Sequence, residues 1–206
     1  MRVRKVPSNL DRDRYGDFYL TKAVRPAAEL PIIPREGYRV ETYCEAGFRV
    51  PLLAAAVSRE RLFDTFLELL EPLGPVVDVV LETSHSSSTG EHLDLYRAGI
   101  DRPVLLSYLY DYEELLTDDG CTGIAVLDEE SGMEVQFDEH KLLMVYAYDL
   151  RPFIAVLEGQ NVRRDDTLRL ITEARHLHCT QARYFAAFEQ LCLRLGLGEP
   201  AEQIQW

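Results

Sequence analysis

The sequence predicts an α+β protein, a mixed β-sheet packed with helices and built from two similar ββαβα-type units. Three observations carry that expectation. Short β-branched and apolar runs alternate with amphipathic stretches of helical period. The first 36 residues differ in composition from everything after them. A Glu-x-x-His tetrad recurs at matching places in the two halves, Glu82-Thr83-Ser84-His85 and Glu173-Ala174-Arg175-His176.

Residues 1–36 read as an N-terminal arm. Pro7, Pro26, Pro31 and Pro34 exclude a helix or a central strand there. Tyr15, Phe18, Tyr19, Leu20, Leu30, Ile32 and Ile33 are too apolar for a free tail, so the arm is expected to pack on its own domain or on another subunit.

Residues 38–43 alternate like a half-buried strand, and residues 48–57 form a longer apolar run expected as a central strand. Ser58 is placed as the N-cap of a helix whose stripe is Leu62, Phe63, Phe66, Leu67, Leu70 and Leu73. Gly74 falls where a left-handed C-terminal residue belongs. The β-branched run 76–81 is a buried strand, followed by a polar loop over 84–90. Asp101 and Pro103 open a helix running to about Thr117.

Residues 121–127 and 133–137 flank an acidic turn and read as a hairpin. Residues 141–148 make a further strand, and Asp149 with Pro152 starts a short helix ending near Gly159. Residues 168–176 are expected as a strand. Residues 181–195 form an amphipathic helix with Phe185, Phe188, Leu191, Cys192 and Leu195 on one face.

The halves, 37–118 and 119–206, are expected to share one core. Shifted by 90, Leu52-Leu53 meets Leu142-Leu143, Arg61 meets Arg151, Phe63 meets Phe153, and Leu67-Glu68 meets Leu157-Glu158. Shifted by 91, Glu82 meets Glu173, His85 meets His176 and Thr89 meets Thr180. Such self-similarity points to duplication, although two strand–helix–strand units can also look alike because core packing shapes both.

Composition excludes several classes. A net charge of −13 argues against a nucleic-acid binder, which carries a basic face. The charge is uneven: residues 1–35 carry +4 and the rest −17, so the arm can lie on an acidic body, its own or a partner's. No apolar run has the roughly 18 residues that span a bilayer. The basic start is followed by no apolar stretch, so secretion is not expected. Cys44, Cys121, Cys179 and Cys192 are scattered without a C-x-x-C, which fits free thiols in a reducing cytoplasm. The motifs G-x-G-x-x-G, G-x-x-x-x-G-K-[ST], H-E-x-x-H and G-x-S-x-G are all missing, and no cofactor is indicated.

The strongest chemical cluster is His176-Leu177-His178-Cys179. On a strand, His176 and His178 share a face and can bind a divalent metal through ring nitrogens. A pseudo-two-fold would bring His85 towards His176, making His85, His176, His178, Glu82 and Glu173 the candidate ligands. Glu and His three apart on a strand diverge, so each tetrad delivers both residues only where the strand ends or bends. The bland alternative is that these histidines make polar contacts at strand ends.

The hydroxyl-rich loop 83–90 can hold a phosphate or carboxylate, with His85 as a general base. Asp138-Glu139-His140 lies between two strands and reads mainly as a turn, and Asp128-Glu129-Glu130 as a solvated one. Tyr108 and Tyr112 share a helix face as core or interface residues.

Two functional classes follow. One is a non-enzymatic binding or assembly module that self-associates into a homo-oligomer through its arm and sheet edges. The other is a small metal-dependent enzyme or metal-binding protein with a histidine site at the strand ends.

Overall fold

The computed structural model describes residues 12–27, 32–45, 47–85 and 92–197. Its centre is a seven-stranded sheet. The strands are β4 (Gly37–Glu45), β5 (Phe48–Ala56), β6 (Val76–Thr83), β7 (Leu93–Asp101), β8 (Thr122–Asp128), β9 (Met133–Phe137) and β10 (Leu143–Tyr146). Their order across the sheet is β4-β5-β10-β9-β8-β6-β7. Neighbouring strands run antiparallel. The one parallel element among the described residues is the Tyr38–Arg164 bridge beside β4.

Antiparallel strands alternate their side chains between two faces. Leu53, Val79, Leu81, Ile124, Val126, Val135, Phe137, Leu143 and Val145 line one face and are fully or almost fully buried. The helices cover that face: α1 (Arg59–Leu69), α2 (Arg102–Asp111), α3 (Glu113–Asp118), α4 (Arg151–Gly159) and α5 (Ala182–Leu195). Phe66 of α1, Phe153 of α4 and Leu191 of α5 are buried in the same apolar cluster. The chain is therefore α+β, as the alternation of periods implied.

The opposite face is covered by the arm at its β5–β10 end. Phe18 and the pair Leu168 and Leu170 close over Ala54, Ala56 and Leu142. Within the arm, β1 (Arg14–Tyr15) and β2 (Phe18–Tyr19) form a two-residue ladder, and β3 (Val24–Pro26) pairs with β11 (His176–His178). The described part of the arm thus packs on its own chain. Lys22 holds it there by pairing with Asp118, whose wholly buried side chain also takes Arg59 at the start of α1.

Several expectations are corrected. Ser58 occupies the cap position of α1, but its hydroxyl makes no cap bond. It instead accepts the Tyr19 N–H at 3.0 Å, tying the arm to the helix. Gly74 is not left-handed; its N–H donates to the Asp128 carboxylate at 3.0 Å. Asp128 is accordingly buried, not solvated like Glu129 and Glu130. The expected helix from Asp101 breaks at Tyr112, which leaves helical geometry and separates α2 from α3.

Residues 168–176 are not a strand. They contain a 3-10 turn, Ile171–Glu173, and only His176 enters β11. The matched order of strand then helix holds for β5–α1 and β10–α4, which the repeat register aligns. It does not continue into 168–176, so the structure does not confirm the duplication. Strand β7, an edge strand, had no counterpart in the sequence reading.

Candidate metal centre

The end of β6, the start of β8 and the β9–β10 turn all lie at one end of the sheet, because antiparallel pairing sets Thr83 opposite Thr122 and Phe137 opposite Leu143. The β3–β11 ladder is joined to this end through backbone bonds. Gly120 donates to the Cys179 carbonyl at 2.9 Å, and Cys179 donates to the Ala23 carbonyl at 2.7 Å. Only glycine permits the approach: a Cβ on residue 120 would stand 2.3 Å from the Ala23 carbonyl oxygen and 2.9 Å from the Cys179 nitrogen.

That junction brings three histidines together. The ring centroids of His140 and His176 are 4.8 Å apart, those of His140 and His178 4.7 Å, and those of His176 and His178 5.2 Å. One ring nitrogen from each lies within 4.8 Å of the others. His176 and His178 share a strand face as expected. His140 comes from the Asp138-Glu139-His140 turn, which sequence alone favoured as a turn and no more.

Each ring has its Nδ1 engaged. His176 Nδ1 donates to the Ala174 carbonyl at 2.8 Å, and His178 Nδ1 donates to the Gly120 carbonyl at 2.5 Å. His140 Nδ1 lies 3.1 Å from Asp138 Oδ2. A carbonyl or carboxylate acceptor keeps the proton on Nδ1 and leaves the Nε2 lone pair free, the second-shell arrangement that orients metal-ligating histidines.

The β9–β10 turn is closed by local bonds. Asp138 Oδ1 accepts the Leu142 N–H at 2.7 Å, and Lys141 is held at a left-handed φ of 64°. The Lys141 ammonium is buried and donates to the Thr122 carbonyl at 2.7 Å. Burial pulls its pKa down to about 8, against the opposing pull of Asp138, Asp119 and Glu139. Burial also lowers the pKa of His178, and His140 and His176 add to that. For His140, burial works downward, but Asp138 and Glu139 outweigh it and the net shift is upward. The surroundings of His140 therefore favour a positive charge. His178 is exposed while His140 and His176 are half-buried, so the cluster opens to solvent on one side.

The other residues singled out from the sequence lie elsewhere. Glu173 pairs with Arg39 at 2.5 Å and accepts the Leu170 N–H, closing the 3-10 turn. Glu82 groups with His92 and Glu139. Its carboxylate faces Gly123, where a Cβ would come within 2.8 Å of Glu82 Oε2. Burial, then Asp94, Glu139, Asp138 and Glu134, raise its pKa to about 7. His85 sits with Asp119 and Cys121. Residues 86–90 of the hydroxyl-rich loop lie outside the described residues.

No protein-family model, no curated protein and no solved structure matches this chain.

Proposed function

We propose that the protein binds a divalent ion of the zinc class through Nε2 of His140, His176 and His178. The observation that carries this reading is the engagement of Nδ1 on all three rings, which leaves the three Nε2 atoms as the available ligands. Three imidazoles and one open position is the ligand pattern of catalytic rather than structural zinc. An ion held there lowers the pKa of a bound water towards neutrality, so the reaction class that fits is metal-assisted attack by water. Asp138 and Glu139 supply negative charge next to His140, and Asp138 also sets its tautomer. A cytoplasmic location belongs to the same reading and draws on the four unpaired thiols.

The test is zinc content and affinity of untagged protein. His176→Ala combined with His178→Ala should remove one equivalent of zinc with the fold intact by circular dichroism. Unchanged zinc content in that variant sinks the proposal.

Self-association is a second reading, favoured by the β4 edge. Tyr38 at its start bridges to Arg164, but beyond that point the strand pairs only with β5 among the described residues, and the β4–β5 hairpin exposes Tyr43 and Phe48. Exposed edges carrying apolar side chains invite pairing between copies. On this reading Phe48→Glu lowers the mass measured by light scattering, and an unchanged monomer before and after the substitution rules it out.

A further inference from the structure

A second cluster lies across Gly120 from the histidine triad and shares no ligand with it. His85, Asp119 and Cys121 each place one ligand atom within 4.8 Å of the other two. His85 follows the end of β6, and its N–H donates to the Thr83 hydroxyl at 3.1 Å. Its ring packs against Phe185 and Phe188 of α5, with centroids 5.5 and 5.9 Å away. The His85 side chain is 5% exposed and the Asp119 carboxylate 0%.

The polar atoms of this pocket are incompletely satisfied. Thr122 donates to Asp119 Oδ2 at 2.6 Å. Among the described residues, Asp119 Oδ1 and His85 Nε2 have no hydrogen-bond partner although both are buried. His85 Nε2 lies 2.8 Å from Asp119 Oδ2, an ion-pair distance without hydrogen-bond alignment; burial pushes the Asp119 pKa up, but His85, Thr122 and Thr180 beside the carboxylate outweigh it and hold it down. Leaving buried polar atoms unpaired opposes folding, and both residues stand beside Cys121. One cation relieves both at once.

We propose that His85, Asp119 and Cys121 bind a second divalent ion of the zinc class. The ligand set is nitrogen, oxygen and sulfur, which suits zinc and not the all-oxygen preference of calcium or magnesium. On binding, Cys121 loses its thiol proton to solvent and its sulfur donates a lone pair to the metal; no redox partner is needed. A thiolate, a carboxylate and a dication sum to zero charge, which removes the penalty for burying charge in this pocket. The ion also has a structural consequence. Asp119 and Cys121 flank Gly120, whose carbonyl orients His178, so filling this site holds the turn that aims one ligand of the triad.

Cobalt(II) titration of the metal-free, reduced protein tests the proposal. A thiolate ligand gives a sulfur-to-cobalt charge-transfer band in the near ultraviolet, and an all-imidazole site gives none. The band is expected in the unaltered protein and in the His176→Ala, His178→Ala variant, and is expected to vanish in Cys121→Ser. Its persistence in His176→Ala, His178→Ala separates this site from the triad, whatever the fate of the triad reading. Zinc should also slow alkylation of Cys121 at least tenfold, as mapped by mass spectrometry, which decides the matter if Cys121→Ser does not fold. Cobalt binding without a thiolate band, a band that survives Cys121→Ser, or a band lost only in Cys179→Ser overturns the proposal.

Discussion

The carbonyl oxygen of Gly120 accepts the Nδ1 proton of His178 at 2.5 Å while the N–H of the same Gly120 donates to the Cys179 carbonyl at 2.9 Å. One peptide segment therefore both attaches β11 to the sheet end and sets the direction of a histidine ring. Gly120→Ala tests this double duty. The added methyl would stand 2.3 Å from the Ala23 oxygen, a backbone atom that cannot swing away. Urea denaturation should show a loss of about 2–3 kcal/mol, the upper part of the range for overpacking. Zinc affinity measured by calorimetry should fall at least tenfold. A variant as stable as the parent, with full affinity, would falsify the junction as described.

Asp118 anchors the arm. Its carboxylate is wholly buried and receives Arg59 Nη2 at 2.7 Å and Lys22 Nζ at 3.1 Å. Asp118→Ala removes the partner of both cations and leaves the Lys22 N–H without its acceptor. Arg59 and Lys22 are half exposed, so the loss should sit at the lower end for a broken buried pair, roughly 3 kcal/mol. Limited proteolysis should then cut the arm, within residues 12–27, faster than the sheet. Equal protection of the arm in variant and parent would count against its anchoring role.

Lys141 is a buried cation set among carboxylates. Lys141→Met keeps the stem but strips the Thr122 carbonyl of its donor and the Asp138 and Asp119 carboxylates of a neighbouring charge. Leaving such groups unpaired should destabilise the protein by about 1–3 kcal/mol. Thermal unfolding measures it; a melting temperature equal to that of the parent would show that the ammonium is dispensable.

Glu82 gives stability a pH dependence of defined sign. Its folded-state pKa, about 7, is above the ordinary 4.5 of a free glutamate. The folded state thus binds the proton more tightly than the unfolded state does, and Glu82 favours folding at low pH. That contribution is lost progressively as pH rises from about 4.5 to about 7. Partial exposure screens the effect, which should be on the order of 1–2 kcal/mol. Glu82→Gln, studied in metal-free buffer, should flatten stability across this window and exceed the parent at pH 8. Parallel pH profiles for the two proteins would contradict the assignment.

Much of this was legible in the sequence wherever one residue's partners lie close along the chain. The stripe Leu62, Phe66, Leu70 is a core face because a helix repeats every 3.6 residues, and all three are buried. The shared face of His176 and His178 follows from strand alternation alone. Strand β7 escaped because an edge strand need bury little: Leu95 and Ile100 are its only buried residues, and Gly99 interrupts it at a φ of 64°. His140 escaped because its signal was the acidic turn around it, and nothing local says that β11 folds back onto that turn. The repeat drew attention to His85 and Glu173, but similar strand–helix pieces do not guarantee that their flanks meet. The strand expected over 141–148 is confined to Leu143–Tyr146, because Lys141 turns at a left-handed φ of 64°, and the acceptor that buries its ammonium, Thr122, lies far away in the sequence.

The β3–β11 ladder sets Val24 opposite His178, one of the longest sequence separations in the molecule. Synthesis delivers β3 early and β11 late, and most of the sheet is made in between. Closing so long a loop is entropically costly until the intervening core has formed and brought the two ends near each other. The imidazoles of His176 and His178 therefore reach His140 only in a chain whose sheet is already assembled. On the proposed reading, a complete three-histidine site would exist only where the sheet has closed, so full ion affinity would report a finished fold.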